Sequence, residues 1–255
     1  RVAAAMLLTL KGTPFLYYGE EIGMSDTHIP RNRLQDPLGK STWPLKYGRD
    51  PERTPMQWDA GEHAGFVGSA SAPESPNPGP AEPWLPVNGN YPTVNVAAQR
   101  DDPSSLLSFY RELLRLRKAE PALCGGEIEF FAEGEEDVVG YVRWVEPGSE
   151  AGAEDQAATA ADAAAAALPR DRAPASVVVA LNFANRVRRT GAPPRRRGQA
   201  RPIRADEHEG GARAGAWPAG EVLLGTHRLP GERVVPGEGA ELEFAPYEAL
   251  VYRAE

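Results

Sequence analysis

The chain has 255 residues, 41% of them hydrophobic and 25% charged, with a formal net charge of −8. That balance is normal for a soluble globular protein of one large or two small domains, and it disfavours a nucleic-acid partner, which needs a cationic surface to meet phosphates. A single cysteine, Cys124, excludes an intrachain disulfide framework, and no apolar run approaches the ~20 residues of a membrane span.

Residues 2–10 (VAAAMLLTL) are good helix formers and stop at Lys11-Gly12. Residues 13–18 form a short, continuous apolar and aromatic run between Pro14 and Gly19, the pattern of a strand buried on both faces. Residues 25–103 are rich in Pro, Gly, Asn, Asp and Trp with little periodicity, the mark of a long irregular segment that is either functional or disordered. Trp43, Trp58 and Trp84 argue that much of it packs down, whereas 69–83 reads as a flexible insert. Asp102-Pro103 is an N-cap and N1 pair. It opens an amphipathic helix with Leu106, Leu107, Tyr110, Leu113, Leu114 and Arg117 on one face, stopping before Pro121. Residues 127–131, 138–145, 176–183, 221–226 and 240–253 then read as strands. Two low-complexity stretches, 148–174 and 186–204, read as exposed inserts. The expected architecture is a helix-strand-helix α/β remnant over 1–123, then an antiparallel all-β domain over 124–255.

Two blocks carry most of the chemistry: GTPFLYYGEEIGM at 12–24 and GRDPERTPMQWD at 48–59. Ala64-Gly65-Phe66, Glu82-Pro83-Trp84-Leu85-Pro86, Val94-Asn95-Val96, Arg115-Leu116-Arg117 and the terminal LEFAPYEALVY accompany them in order. Together they resemble the α-glucosidase and oligo-1,6-glucosidase branch of the α-amylase superfamily of glycoside hydrolases. Several blocks in order are far more specific than one short motif. The resemblance implies that 12–24 is the eighth strand of a β/α barrel with the turn beyond it. It also implies that the chain, which lacks an initiator Met and opens in a helical pattern, is the C-terminal part of a longer enzyme. The implied reaction is retaining hydrolysis or transfer of α-glucosidic bonds by two carboxyl groups ~5 Å apart. In relatives these acids precede the first block, so no position here is expected to be catalytic and the chain alone is expected to be inactive. Trehalose synthase and sucrose isomerase relatives share the second block. A non-catalytic relative and a sugar-binding β module are the alternatives of another class.

The resemblance assigns Arg49 to substrate binding at the base of the glucose pocket; a planar fork of donors suits a carboxylate and sugar hydroxyls together. Asp50 and Arg53 are expected to hold that segment's fold. Glu20 and Glu21 are expected to be structural, because neighbours on a strand point to opposite sides. Tyr17, Tyr18, Trp43 and Trp58 are of the kind that stack on sugar rings, but aromatics beside a barrel strand are expected mostly in the core. His28 and His63 lack zinc spacing. No metal and no cofactor are expected. The expected partner is an oligosaccharide, with no nucleic acid and no membrane, and the expected compartment is the cytoplasm.

Overall fold

The structure, a computed structural model, describes residues 1–45, 47–67, 82–131, 136–145, 176–191, 220–228, 230–234 and 241–254. The chain divides into two compact units, Arg1–Pro14 with Glu112–Glu255, and Phe15–Arg111. That division differs from the 123/124 boundary drawn from sequence. Among the described residues no helix is long and apolar enough to cross a membrane.

The first of these units is built on antiparallel strands. In chain order they are β1 (Glu127–Phe131), β2 (Val138–Trp144), β3 (Val177–Asn182), β4 (Arg188–Gly191), β5 (Gly220–Gly225), β6 (Arg233–Val234), β7 (Glu241–Phe244) and β8 (Ala249–Ala254). Six form a sheet in the order β1-β2-β3-β8-β5-β6, and β4 pairs with β7. One apolar cluster, including Val178, Val222, Leu250 and Tyr252 from the large sheet and Leu242 and Phe244 from β7, fills the space between the two sheets. On the helical side, α1 (Val2–Thr9) lies against β3, and α5 (Pro121–Cys124) lies against β2. Central strand β3 is therefore buried at every position, which is why VVVALN reads as a continuous apolar run rather than an alternating one.

The last carbonyls of α1 lack partners further along the helix, and two arginines supply those of Leu8 and Thr9. Arg117 donates to the carbonyls of Leu8 (2.8 Å), Leu10 (3.1 Å) and Gly12 (2.6 Å). Arg143, fully buried, donates to Thr9 (2.5 Å), Gly126 (2.9 Å) and Glu127 (3.0 Å). A cation at a helix C-terminus also answers the helix dipole. Burial, reinforced by Arg117, lowers the Arg143 guanidinium to about 10. Beside it, the Tyr141 hydroxyl lies 2.6 Å from Thr9 Oγ1, and burial pushes that phenol up to about 12.

Unit Phe15–Arg111 holds no paired strand among its described residues. Its short elements are α2 (Pro37–Thr42), α3 (Val96–Gln99) and 3-10 turns, set around two small apolar clusters. Ile22, Met56 and Val96 form one, with Met24 and Leu107 against it; Ile29, Leu34 and Leu85 form the other, with Trp43 against it. Side chains bonded to backbone do much of the fastening. Buried Gln57 donates to Asn90 and to the carbonyl of Val94, Asn95 caps α3 through Ala98 N–H (2.7 Å), and Gln99 donates to the Ile22 carbonyl (2.7 Å).

Several expectations need correction. Residues 13–18 form no strand; a parallel strand is held only by its neighbours' ladders, and every pairing among the described residues is antiparallel. Helix α4 (Leu106–Ala119) starts later than Asp102-Pro103 suggests. Its first turn is capped by Ser105, whose Oγ accepts the Ser108 N–H (3.0 Å), while Asp102 closes the preceding turn onto Ser104 N–H (2.8 Å). The single strand expected over 240–253 is two, because Pro246 cannot donate to a ladder and Tyr247 adopts φ 51°. The break is fixed by Asn182 donating to the Ala245 carbonyl (2.8 Å) and Glu248 accepting the Ala245 N–H (2.7 Å). The insert expected over 186–204 begins with strand β4, whose Arg189 pairs across to Glu243 (2.8 Å). The stretch 148–174, and most of 69–83 and 192–204, lie outside the described residues.

Candidate functional site

The two motif blocks meet within unit Phe15–Arg111. Gly19, at φ 91°, turns the chain after the tyrosines; a Cβ there would stand 2.6 Å from Met24 Sδ, so the turn requires glycine. Glu20–Ile22 then forms a 3-10 turn, not the strand end expected, so successive acids are splayed about 120° apart rather than placed on opposite faces. Glu21 accepts the Gly19 N–H (2.7 Å), and Glu20 accepts the Tyr110 hydroxyl (3.3 Å). Burial, and then Glu20, pushes the Tyr110 phenol up to about 12. Tyr18 ties the blocks together by donating to the Thr54 carbonyl (2.9 Å). Its phenol is raised by burial first and Tyr17 second, with Arg53 pulling the other way. The packing of Ile22 against Met56 fastens the same junction.

Asp50–Arg53 is a 3-10 turn with Arg49 at its N-cap and Pro51 in its first turn. Asp50 is buried, and its Oδ2 accepts the N–H groups of Gln35 (2.6 Å) and Asp36 (2.8 Å). Arg49 and Arg53 flank it with exposed side chains, and neither guanidinium makes a hydrogen bond or ion pair among the described residues. The fold-holding work in this segment thus falls to Asp50, while Arg53 reaches a cleft.

That cleft has a volume of about 530 Å³ and is walled by Tyr17, Tyr18, Trp58, Phe66 and Trp84, with Glu21 and Arg53 as its charged groups. The expectation that Tyr17, Tyr18 and Trp58 lie in the core is corrected, since they are 48%, 44% and 48% exposed. Trp43 does pack inward, against Ile29, Leu34 and Leu85. Phe66 and Trp84 were legible only as motif companions, and no local signal places them beside Tyr17. Arg49, Asp50 and Glu20 are not among the walls. Flat aromatic faces beside a free guanidinium suit the apolar faces and hydroxyl edges of a sugar. A second cavity of about 560 Å³, in the β unit, is lined by Glu136, Asp137, Arg188 and Arg189. There Asp137 already pairs with Arg186 (3.3 Å) and Arg188, and Arg189 with Glu243, so three of its four charged groups are already engaged.

Comparison with known proteins bears on these residues directly. The family model of the alpha amylase catalytic domain matches residues 1–126, which include both blocks. A probable alpha-glucosidase of Rhizobium meliloti (strain 1021) is 38% identical over 143 residues, covering 56% of this chain and 24% of the relative. The oligo-1,6-glucosidase of Parageobacillus thermoglucosidasius is 32% identical over 161 residues, covering 56% of this chain and 26% of the relative. The chain therefore spans about a quarter of the length of these curated relatives. Among solved structures, the alpha-glucosyl transfer enzyme XgtA is 25% identical with a TM-score of 0.64, covering 100% of this chain and 35% of that one. Residues 1–126 thus match the alpha amylase catalytic domain, and the curated relatives that the chain resembles are an α-glucosidase and an oligo-1,6-glucosidase.

Proposed function

We propose that this chain is the C-terminal portion of a retaining α-glucosidase that releases terminal α-linked glucose from maltose- and isomaltose-type oligosaccharides. In this reading residues 1–123 are the last helix-strand-helix of the β/α barrel with its long active-site loop, and 124–255 are the C-terminal antiparallel β domain. Arg49 binds the non-reducing-end glucose, and the catalytic acids come from elsewhere in the enzyme. The carrying observation is the state of Arg49: its backbone is held, while its guanidinium is exposed and unspent among the described residues. The two acids of the first block are already engaged by Tyr110 and Gly19, which supports a non-catalytic role for both. Transfer to an acceptor sugar is the second reading, favoured by the likeness of this chain to 35% of a glucosyl transfer enzyme. The same reading places the enzyme in the cytoplasm.

The test is steady-state kinetics on maltose and isomaltose. In the intact enzyme, Arg49→Ala should lower kcat/KM about 100-fold, the value of a charge-assisted hydrogen-bond pair worth ~3 kcal/mol. The isolated 255-residue chain should not hydrolyse p-nitrophenyl α-glucoside. Unchanged kinetics for Arg49→Ala would remove the binding role, and turnover by the isolated chain would remove the assignment of the acids elsewhere.

A further inference from the structure

A guanidinium on a long stem contributes to binding only when its base is fixed. With no side-chain partner among the described residues, the aim of Arg49 rests on the main chain around it. That main chain is held by a residue outside both motif blocks. Asp36 Oδ2 accepts the Arg49 N–H at 2.7 Å, while its Oδ1 accepts the Leu38 N–H at 2.9 Å and caps α2. The return links come from Asp50, whose Oδ2 takes the N–H groups of Gln35 and Asp36 at 2.6 and 2.8 Å. Gln35-Asp36 and Arg49-Asp50 thus grip each other through reciprocal carboxylate–amide bonds, the stronger kind because the acceptors are charged. Nearby, Gly39 and Gly48 bring their backbones into contact; a Cβ on Gly48 would stand 2.6 Å from Gly39 Cα. The Arg49 N–H, followed by that of Leu38, holds the Asp36 carboxyl below its ordinary range.

We propose that Asp36 is a positioning residue for Arg49, its reciprocal clasp with Asp50 setting the direction in which the Arg49 guanidinium is presented to substrate. The inference rests on Arg49 binding substrate. A helix cap alone would give Asp36 a purely structural task, and serine separates the two roles. Asp36→Ser keeps an N-cap acceptor for the Leu38 N–H, but its shorter side chain with one oxygen cannot also serve Arg49.

The decisive experiment is a double-mutant cycle in the intact enzyme with maltose as substrate. Asp36→Ser should lower kcat/KM about tenfold, mainly through KM, as expected for a displaced binding group. In the Arg49→Ala background the same change should cost nothing further, because its route of action is already gone. Wild-type kinetics for Asp36→Ser, or a loss that multiplies with that of Arg49→Ala, would overturn the inference while leaving Arg49 in place. Wild-type kinetics for Arg49→Ala itself would remove the substrate-binding reading and the inference together. A measurement independent of variant folding is the amide resonance of Arg49 in the 255-residue chain. It should shift with the titration of Asp36, below the ordinary carboxyl value of 3.8, and a resonance indifferent to that titration would equally sink the clasp.

Discussion

The β unit and the loop unit are fastened in opposite ways. In the β unit, strand ladders satisfy the backbone and a shared apolar cluster supplies the burial; even its buried arginines are consumed, each donating to backbone carbonyls. In the loop unit, small apolar clusters are joined by side chains bonded to backbone, from Gln57, Asn95, Gln99, Asp36 and Asp50. The difference shows where binding chemistry can reside. Where cations are spent on holding the fold, as with Arg143 and Arg117, those guanidinium groups are not available to a ligand. Where Asp50 takes over the holding, its neighbours Arg49 and Arg53 stay unspent among the described residues. Loop regions carry function because a scaffold frees their side chains, and here much of that scaffold is a set of carboxylate and amide caps.

The hardest blow to the contrast comes at Arg143. Arg143→Met keeps much of the bulk but removes every donor, leaving carbonyls of Thr9, Gly126 and Glu127 without that partner. Unfolding stability should fall by about 3–5 kcal/mol, the penalty for buried polar groups left unpaired, read as a lower denaturation midpoint. A near-neutral result would mean the α1 terminus is held by packing instead. A milder effect follows from pH. The phenol of Tyr141 titrates near 12 when folded against an ordinary value of 10.0. Between those values the unfolded chain has released the proton and the folded one has not, so stability falls as pH rises. By about pH 11 the loss should be on the order of 1 kcal/mol, and Tyr141→Phe should show a shallower decline. Comparing the two curves isolates the tyrosine from Arg143, whose lowered value acts in the opposite sense over the same range.

What the sequence discloses follows the same divide. Helix α4 and strands β2 and β3 are legible because burial against a core imposes period or a continuous apolar run. Strand β4 is hidden because RRTG has no apolar face and pairs through its backbone and the Arg189–Glu243 bridge. The motif blocks carry the resemblance and single out Arg49 as the proposed binding residue, but they do not point to Asp36. Its bonds join residues 13 positions apart through one carboxylate, and a single acid in a polar loop leaves no periodic trace. Phe66 and Trp84 are hidden for a related reason, since their shared cleft arises from turns that no local pattern encodes.

The smallest expected effect tests the corrected stretch at 13–18. Phe15 is 85% exposed, whereas Phe244 is fully buried between the sheets. One residue type therefore reports on both regions. In the 255-residue chain, Phe15→Ser should change unfolding stability by less than about 0.5 kcal/mol, as exposed substitutions do, while Phe244→Ala should cost about 3–5 kcal/mol. The proposed barrel reading demands a different answer in the intact enzyme. There 13–18 would sit between neighbouring parallel strands, and the same Phe15→Ser change should cost several-fold more than in the chain alone. Equal, small costs in both settings would leave Phe15 a surface residue in each, and the barrel-strand reading of 13–18 would fail even if Arg49 binds sugar.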